Sequence, residues 1–250
     1  MKKYLLLISI FFLFFSCKQQ ETQLRRIEGK LIPINSKIEN DTAIKKLIIP
    51  FKLELEGKMN TVLAYAPTDY YKNKNKAETS IGNFMADLCY KQANPLFLKQ
   101  SGKNIDFVLL NYGGIRSGIA KGNVTTKTAF EIMPFENSIV ITELSYAKLQ
   151  ELFHYLKKSR VAHPISKHLK IVVEDEKITS VLIKGEEINK DKTYNVLTSD
   201  YLQRGGDRMN FFKDPINLYD LNYKVRTAII DELTEIDTIQ TKEDSRFIRK

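Results

Sequence analysis

The sequence predicts an α+β fold, a single domain with a mixed sheet and flanking helices. Apolar residues recur at helical spacing in several segments, and short apolar runs of strand length separate them. Helices and hairpin strands alternate without a regular strand–helix–strand rhythm, so a mixed sheet is expected. The chain has 250 residues, of which 43% are hydrophobic and 28% charged, an ordinary composition for a protein that buries a sizeable core.

The first predicted helix covers residues 40–57. Asn40 or Asp41 can cap its start, Gly57 can end it, and Pro50 should kink it. One face of this helix carries Ile44, Leu47, Ile48, Phe51 and Leu55. A strand in "NTVLAYAP" and a polar loop, "YYKNKNK", follow.

The second helix lies in "ETSIGNFMADLCYKQ" and is expected to end near Phe97. Its apolar face has the i, i+3, i+4, i+7, i+8 spacing of Ile81, Phe84, Met85, Leu88 and Cys89. Besides Cys17, Cys89 is the only cysteine, so no internal disulfide is expected once Cys17 is modified. Cys89 is therefore predicted to be a buried core thiol, not a nucleophile.

The remaining elements alternate between strands and helices. "IDFVLL" is a strand that leads into a glycine turn, "TTKTAFEIM" is a short helix, and "PFEN" is a turn before the strand "SIVITEL". Ser145 caps the helix "YAKLQELFHYLKK". "KHLKIVV" and "ITSVLIKG" alternate like hairpin strands, "TYNVLTS" is another strand, and "NYKVRTAIIDEL" is the last helix.

Residues 1–16 have the features of a lipoprotein signal peptide. Two lysines precede the apolar run of residues 4–15, which is too short to span a bilayer. Ser16 and Cys17 then resemble a bacterial lipobox, which implies a mature chain that begins at an acylated Cys17. The alternative is an ordinary cleaved signal or a short anchor, with Cys17 incidental.

This N-terminus sets the expected organisation and location. Residues 17–39 form a tether and N-terminal extension, and residues 40–250 form the domain. The protein is expected to be exported and anchored by lipid to the cell envelope, at the outer membrane facing the periplasm. The formal charge is +9, but basic and acidic residues are interspersed, so a nucleic-acid-binding face is not expected.

Familiar catalytic motifs do not occur in the sequence. The three histidines, His154, His163 and His168, lie in no HxH, HExxH or GNH element, and each is predicted to be a surface or structural residue. There is no GxSxG nucleophile motif and no glycine-rich phosphate loop. We therefore expect no catalytic residue and no metal site in this chain.

Three turns that combine glycine or polar residues follow predicted strands or helices: "NYGGIR", "PFEN" and "SDYLQRGGD". They supply an anion-binding arginine, hydrogen-bonding side chains and two aromatic rings that could hold a planar base. The candidate ligand-binding residues are Asn111, Gly113, Gly114, Arg116, Phe135, Asn137, Tyr201 and Asp207. Such a set suits a nucleotide better than a lipid or a peptide.

These motifs, in this order, resemble the C-terminal substrate-binding domain of the 5'-nucleotidase and UDP-sugar hydrolase family. The resemblance runs from "AETSIGNFMAD" through "NYGGIRSGIAKGNVTTKTAFEIMPFENSIVITELSYAKLQELF" and "YNVLTSDYLQRGGD" to "SRFIRK", and covers about residues 40–250. It implies the fold of that domain. It also implies that Phe135 and Tyr201 hold the base, that Asp207 binds the ribose hydroxyls, and that Arg116 holds the phosphate end.

Further roles are implied by the same resemblance. Asn111 helps to read the base, and Gly113 and Gly114 allow the ligand to approach the turn closely. The family commonly has another phosphate-binding arginine at the position of Asn75. Lys74 and Lys76 flank this position and either supply the missing charge or belong to a solvated loop.

Family members carry an N-terminal metallophosphoesterase domain, which has no counterpart in this sequence. The resemblance therefore implies the nucleotide-recognition half of a phosphohydrolase in nucleotide catabolism, acting with a separate catalytic chain that holds the divalent metals. The alternative is a non-enzymatic lipoprotein that binds nucleosides or nucleotides. A third hypothesis, a fold that has lost its ligand, is disfavoured by Phe135, Tyr201 and Asp207.

Overall fold

The computed structural model describes residues 24–250. The predicted signal peptide and Cys17 lie outside the described residues. The chain divides into two compact units, the first ending at Ile48 and the second covering Ile49–Lys250. In the first unit, residues 24–41 form neither helix nor strand.

Helix α1 spans Thr42–Met59. Asp41 caps it as predicted, because its carboxylate accepts hydrogen bonds of 2.8 and 3.0 Å from backbone N–H groups of the first turn. The helix is uninterrupted at Pro50 and ends two residues beyond Gly57, so the predicted end was wrong. None of its residues is buried. Within residues 24–250, no helix combines the length and the apolar character that crossing a membrane requires.

The second unit contains the sheets. Its strands are β1 (Val62–Ala66), β2 (Phe107–Val108), β3 (Gly122–Thr125), β4 (Ser138–Leu144), β5 (Leu169–Glu174), β6 (Lys177–Ile183), β7 (Glu186–Glu187), β8 (Tyr194–Ser199), β9 (Asn217–Lys224) and β10 (Phe247–Arg249). Its further helices are α2 (Ser80–Ser101), α3 (Thr126–Ile132), α4 (Tyr146–Lys158), α5 (Asp200–Gln203) and α6 (Val225–Glu235). Short 3-10 turns cover Tyr112–Gly114, Gly206–Arg208 and Asn210–Phe212.

Two four-stranded sheets are both mixed. The first has the order β2-β8-β4-β9, with β2 parallel to β8 and the other neighbours antiparallel. The second has the order β10-β5-β6-β7, with β10 parallel to β5. Strands β1 and β3 form an antiparallel pair. The predicted α+β fold with a mixed sheet and flanking helices is therefore confirmed.

The β2-β8-β4-β9 sheet separates two hydrophobic cores. Phe107 and Val196 point into a core shared with α4, β5 and β6, whereas their chain neighbours Val108 and Leu197 point into a core shared with α2, α3 and α6. This division follows from the strand geometry, in which successive side chains lie on opposite faces. Because both faces of this sheet are covered, every residue of β4 and every residue of β8 except Asn195 is buried, polar residues included.

Several predicted boundaries differ from the structure. Helix α2 continues past Phe97 to Ser101. The last helix begins at Val225 and not at Asn222, because residues 222–224 complete β9, which pairs with β4. Strands β3, β9 and β10 were not predicted, since each draws its stability from a sheet neighbour that is distant in the chain.

Cys89 lies on the buried face of α2, as predicted, with 0% of its surface exposed. Burial raises the pKa of its thiol to about 12. The thiol is therefore protonated at neutral pH and behaves as a small apolar group of the core.

Candidate functional site

A cavity of about 300 Å³ lies beside one end of the β2-β8-β4-β9 sheet. All eight residues predicted to bind a ligand line it: Asn111, Gly113, Gly114, Arg116, Phe135, Asn137, Tyr201 and Asp207. Its apolar wall is formed by Met85, Leu110, Ile115, Met133 and Val225. The structure thus brings together every member of a set drawn from three separate stretches of the chain.

Strand direction explains this convergence. Residues 111–116 follow β2 and residues 200–207 follow β8, and these two strands are parallel. Residues 135–137 precede β4, which is antiparallel to β8, with Ile139 opposite Ser199. The ends of two parallel strands and the start of an antiparallel neighbour lie on the same side of a sheet. All three stretches therefore meet at one place.

Asp207 is the centre of the hydrogen bonding in the cavity. Its Oδ2 accepts a hydrogen bond of 2.7 Å from the amide of Asn111, and its Oδ1 accepts one of 3.0 Å from the hydroxyl of Tyr201. The hydroxyl of Tyr155 donates to its backbone carbonyl at 3.0 Å. An ionised carboxylate offers about four acceptor positions. Asp207 can therefore accept further hydrogen bonds from two ligand hydroxyls without losing its present partners.

The backbone at Asp207 is in the left-handed region, with φ of 51° and ψ of 25°. Such a conformation is uncommon outside glycine and is tolerated best by aspartate and asparagine. Arg208 also has a positive φ, of 62°. The turn is held in this conformation by the hydrogen bond from Tyr155, which α4 supplies. Sequence reasoning did not identify Tyr155.

The glycines of the first turn differ in the space around them. A Cβ atom added to Gly114 would lie 2.6 Å from Oδ1 of Asn111, closer than real Cβ contacts. A Cβ atom on Gly113 would lie 3.4 Å from Nδ2 of Asn111 and 3.6 Å from Oδ2 of Asp207, which is ordinary contact. Gly114 is therefore required for the side chain of Asn111 to reach Asp207.

Asn137 is positioned by Asp200, a second residue that sequence reasoning missed. Oδ1 of Asp200 accepts hydrogen bonds from the amide of Asn137 at 3.2 Å, the backbone N–H of Ser138 at 3.0 Å and the backbone N–H of Tyr201 at 2.9 Å. One carboxylate thus joins the segment that carries Phe135 to the segment that carries Tyr201. The position of Asp200 directly after β8 is the sequence signal by which this residue could have been identified.

The two predicted aromatic rings border the cavity and keep large exposed surfaces. Phe135 is 42% exposed and Tyr201 is 48% exposed. Arg226 braces the segment of Phe135 by donating to the carbonyls of Met133 and Phe135, both at 3.3 Å. Cζ of Arg116 lies 5.8 Å from the centre of the Phe135 ring. The cavity therefore has exposed aromatic surface and a guanidinium group beside it.

Lys74 and Lys76, which the sequence assigns either to the ligand or to a solvated loop, are exposed and do not line this cavity. Lys74, Asn75 and Lys76 line a separate cavity, and Nζ of Lys76 is 2.8 Å from a carboxylate oxygen of Glu243. Lys72, which sequence reasoning did not single out, donates a hydrogen bond of 3.2 Å to the carbonyl of Tyr112. Tyr112 lies in the predicted ligand-binding turn of residues 111–116, hereafter the ligand turn. The sequence "YYKNKNK" alone does not indicate which of these lysines contacts the turn of residues 111–116.

None of the three histidines lines the cavity. Nδ1 of His163 accepts a hydrogen bond of 3.2 Å from the backbone N–H of Tyr112, and burial lowers the pKa of His163 to about 4. It is neutral at pH 7 and supports the ligand turn. His168 stacks on Tyr90 with ring centres 3.7 Å apart, and burial lowers its pKa. His154 is exposed on α4.

Among residues 24–250, no group of three or more His, Cys, Asp or Glu side chains is arranged to hold a metal ion. Asp207, which lines the cavity, and Asp200, which is bonded to Asn137, accept hydrogen bonds from amide, hydroxyl and backbone donors. The described residues that line the cavity thus offer hydrogen-bonding, aromatic and cationic groups.

Comparison with known proteins supports a relationship to nucleotidases. The chain is 28% identical over 223 residues to the trifunctional nucleotide phosphoesterase YfkN of Bacillus subtilis, a match that covers 82% of this chain and 15% of that protein. It is 24% identical over 241 residues to the protein UshA of Escherichia coli, covering 86% of this chain and 42% of UshA. The chain thus spans less than half the length of these relatives.

Solved structures show the same fold. A 5'-nucleotidase precursor from Thermus thermophilus matches with a TM-score of 0.68 at 20% identity, covering 82% of this chain and 42% of the other. The NAD nucleotidase of Haemophilus influenzae matches with a TM-score of 0.64 at 19% identity, covering 84% of this chain and 42% of the other.

A family model described as the 5'-nucleotidase C-terminal domain matches residues 58–214. This range contains all eight predicted ligand-binding residues that line the cavity. This match covers more than half of the chain. The chain belongs to the 5'-nucleotidase C-terminal domain family.

Proposed function

We propose that this chain is the nucleotide-recognition half of a 5'-nucleotidase-type phosphohydrolase. The observation that carries the proposal is the convergence of all eight predicted residues on one cavity. The relatives include a nucleotide phosphoesterase, 5'-nucleotidases and an NAD nucleotidase, and these names support a nucleotide as the ligand.

Each group of the cavity has a proposed part in binding. The exposed rings of Phe135 and Tyr201 stack on the base, an interaction of about 1–3 kcal/mol per base. Asp207 accepts hydrogen bonds from the ribose hydroxyls, and Asn111 holds its carboxylate in place. Asn137 and Asn111 have amide groups that can read the edge of the base. Arg116 binds the phosphate end.

Hydrolysis is assigned to a separate metallophosphoesterase chain. That partner would supply the divalent metals and the activated water, and this chain would hold the nucleotide and exclude solvent from one side of it. Lipid anchoring through Cys17 and export to the cell envelope complete the proposal and rest on the N-terminal sequence. The second candidate is a binding lipoprotein without a hydrolytic partner, which the asparagine at position 75 favours because a nucleoside needs no phosphate clamp.

Calorimetric titration of AMP and adenosine, with phosphate release followed in the presence of divalent metal, tests the proposal. We expect AMP to bind without release of phosphate by this chain alone. Arg116→Ala should weaken the binding of AMP more than the binding of adenosine. Stronger binding of adenosine than of AMP would favour the second candidate, and a folded chain that binds neither would contradict both.

A further inference from the structure

Exposed apolar side chains are concentrated at the N-terminal end of the described chain. Of the 22 large apolar side chains that are exposed within residues 24–250, 13 belong to residues 24–55. Single exposed apolar residues are ordinary on a protein surface, whereas a dense run of them marks a surface that contacts something other than water. Residues 24–55 are therefore expected to have a binding partner.

Helix α1 carries part of this apolar surface as a stripe. Ile44, Leu47, Ile48, Phe51 and Leu55 recur at helical spacing and share one face of the helix. Leu47 and Phe51 are both 69% exposed, and no residue of α1 is buried. Most of the stability of a helix in a protein comes from packing of its apolar face. The stripe of α1 is thus free to pack against a partner.

The pattern of α1 does not suit pairing with a second copy of the same helix. A coiled-coil seam needs apolar residues at alternating steps of three and four, as at Ile44, Leu47 and Phe51. The next position of this seam is Glu54, and Pro50 stands next to the seam. The seam would end at Phe51, well short of the ~3–4 heptads that indicate a coiled coil.

The charges beside the stripe are mostly positive. Residues 24–59 contain eight lysines and arginines but five aspartates and glutamates. The excess lies at the start of α1, because no acidic residue occurs between Asp41 and Glu54. Within residues 24–250, Lys45 and Lys46 form no ion pair with a carboxylate. Apolar side chains next to unpaired lysines are the combination by which a helix binds an anionic lipid surface.

The predicted acylation site lies close to this segment in the chain. Leu24 follows Cys17 by seven residues, which span at most about 25 Å when fully extended. Residues 24–41 form neither helix nor strand, so within this range no rigid element separates the anchor from α1. An acylated Cys17 would therefore keep α1 at a high local concentration near the bilayer.

We propose that α1 lies on the surface of an anionic phospholipid bilayer, with its apolar stripe among the lipids and Lys45 and Lys46 at the phosphate groups. The apolar face of such a helix enters the boundary between headgroups and acyl chains by about 5–10 Å. The inference goes beyond nucleotide recognition, and it rests on the lipid anchoring that is part of the proposed function. The lipid surface is favoured over a protein partner by the unpaired lysines and by the nearby anchor.

Vesicle binding tests the inference on residues 17–250 with Cys17→Ser, a chain that has neither signal peptide nor acyl group. The protein is sedimented with vesicles of phosphatidylcholine and phosphatidylglycerol in equal amounts, or of phosphatidylcholine alone. Leu47→Ser combined with Phe51→Ser should weaken binding to the mixed vesicles more than tenfold, because two large side chains lose their burial in lipid. Ile216→Ser combined with Leu218→Ser is the matched control, since both side chains are exposed elsewhere, and should leave binding unchanged.

The lysines are tested by the same measurement. Lys45→Gln combined with Lys46→Gln should weaken binding to the mixed vesicles about tenfold or more, since each lysine near an anionic surface contributes to the attraction. Binding to phosphatidylcholine alone should change little. Equal losses on both kinds of vesicle would overturn the part assigned to the lysines.

A fluorescent reporter separates lipid from a second copy as the partner. The chain contains no tryptophan, so Phe51→Trp adds a single indole ring to the stripe. Its emission should shift to the blue on addition of mixed vesicles, because the ring moves from water to the membrane interface. Leu218→Trp, in β9, should show no shift. A blue shift of Phe51→Trp that grows with protein concentration in the absence of lipid would overturn the inference in favour of a second copy.

The remaining outcomes distinguish this inference from the proposed function. A chain that binds AMP but not the mixed vesicles would overturn the inference and leave nucleotide recognition intact. Vesicle binding that Leu47→Ser with Phe51→Ser leaves unchanged would also overturn it. Vesicle binding without nucleotide binding would support the inference and contradict nucleotide recognition. The mass of the protein isolated from cells reports acylation of Cys17, and an unmodified Cys17 would contradict the proposed anchoring on which the inference rests.

Discussion

The hydroxyl of Tyr201 donates a 3.0 Å hydrogen bond to Oδ1 of Asp207, six residues further along the chain. Tyr201 therefore has two roles in the proposed site, since its ring faces the cavity and its hydroxyl orients the carboxylate. A phenylalanine at this position could stack on a base but could not hold Asp207.

Tyr201→Phe separates these two roles. We expect the variant to lose about tenfold in adenosine affinity, because the Asp207 carboxylate loses a donor that orients it for the ribose hydroxyls. Binding of 2',3'-dideoxyadenosine should change little, since that ligand lacks both hydroxyls. Titration of the two nucleosides measures the ratio of their affinities for each variant. Tyr112→Phe, which removes a hydroxyl that is not hydrogen-bonded to Asp207, is the control. Equal losses for both nucleosides in Tyr201→Phe would exclude the orienting role.

Phe135→Ala tests stacking alone. Removal of the ring should weaken base binding more than tenfold, from a stacking free energy of about 1–3 kcal/mol. Tyr201→Ala should have a similar effect. Phe135→Tyr keeps an aromatic face and should bind nearly as the wild type does. Adenosine affinity, measured by calorimetry, would speak against a stacked base if Phe135→Ala left it unchanged.

Gly114→Ala and Gly113→Ala form a matched pair in the ligand turn. The new methyl group at position 114 would stand 2.6 Å from Oδ1 of Asn111 and should push this side chain away from Asp207. The methyl group at position 113 meets only ordinary contacts of 3.4 and 3.6 Å. AMP titration should therefore show a clear loss for Gly114→Ala and a small one for Gly113→Ala. Similar affinities for the two variants would contradict this reading of the turn.

His163 should make the stability of the fold depend on pH. Its pKa is about 4 in the folded chain and 6.5 ordinarily, so between these values the unfolded chain binds more protons than the folded chain does. The free energy of unfolding should accordingly be highest above pH 6.5 and fall by about 3 kcal/mol as the pH drops to about 4.

His163→Asn isolates this contribution from that of the carboxylates. An asparagine oxygen can accept the hydrogen bond from the N–H of Tyr112 but does not titrate. Urea denaturation between pH 4 and 7 should give a flatter profile for the variant than for the wild type. Parallel profiles would show that His163 is solvated or paired in a way that leaves its pKa near 6.5.

Much of the candidate site could be predicted because its residues lie in recognisable turns at the ends of strands. The motifs around Gly113, Phe135 and Asp207 identified the cavity-lining set without knowledge of sheet order. The contacts within the set could not be predicted. Asn111 and Asp207 are 96 residues apart, and their hydrogen bond depends on the parallel pairing of β2 with β8, of which β2 is only two residues long.

The lysines of the loop "YYKNKNK" are a second case in which a long-range contact could not be predicted from the sequence. Which of Lys72, Lys74 and Lys76 lies beside the ligand turn is decided by the backbone bridge between Tyr70 and Ile119, a long-range contact without a sequence pattern. Strand β9 escaped prediction for a related reason. It is an edge strand with much exposed surface, and its pairing with β4 determines its conformation more than its own residues do.

The burial of Cys89 provides a reporter of unfolding that is already part of the chain. Thiolates react with alkylating reagents, and a fully buried thiol with a pKa of about 12 is protected until the core opens. In a Cys17→Ser background, the alkylation rate would report how often the core around α2 is exposed. A nucleotide that binds only the folded chain should slow this reaction in proportion to its occupancy. Ligand screening then requires no added label and no assay of catalysis.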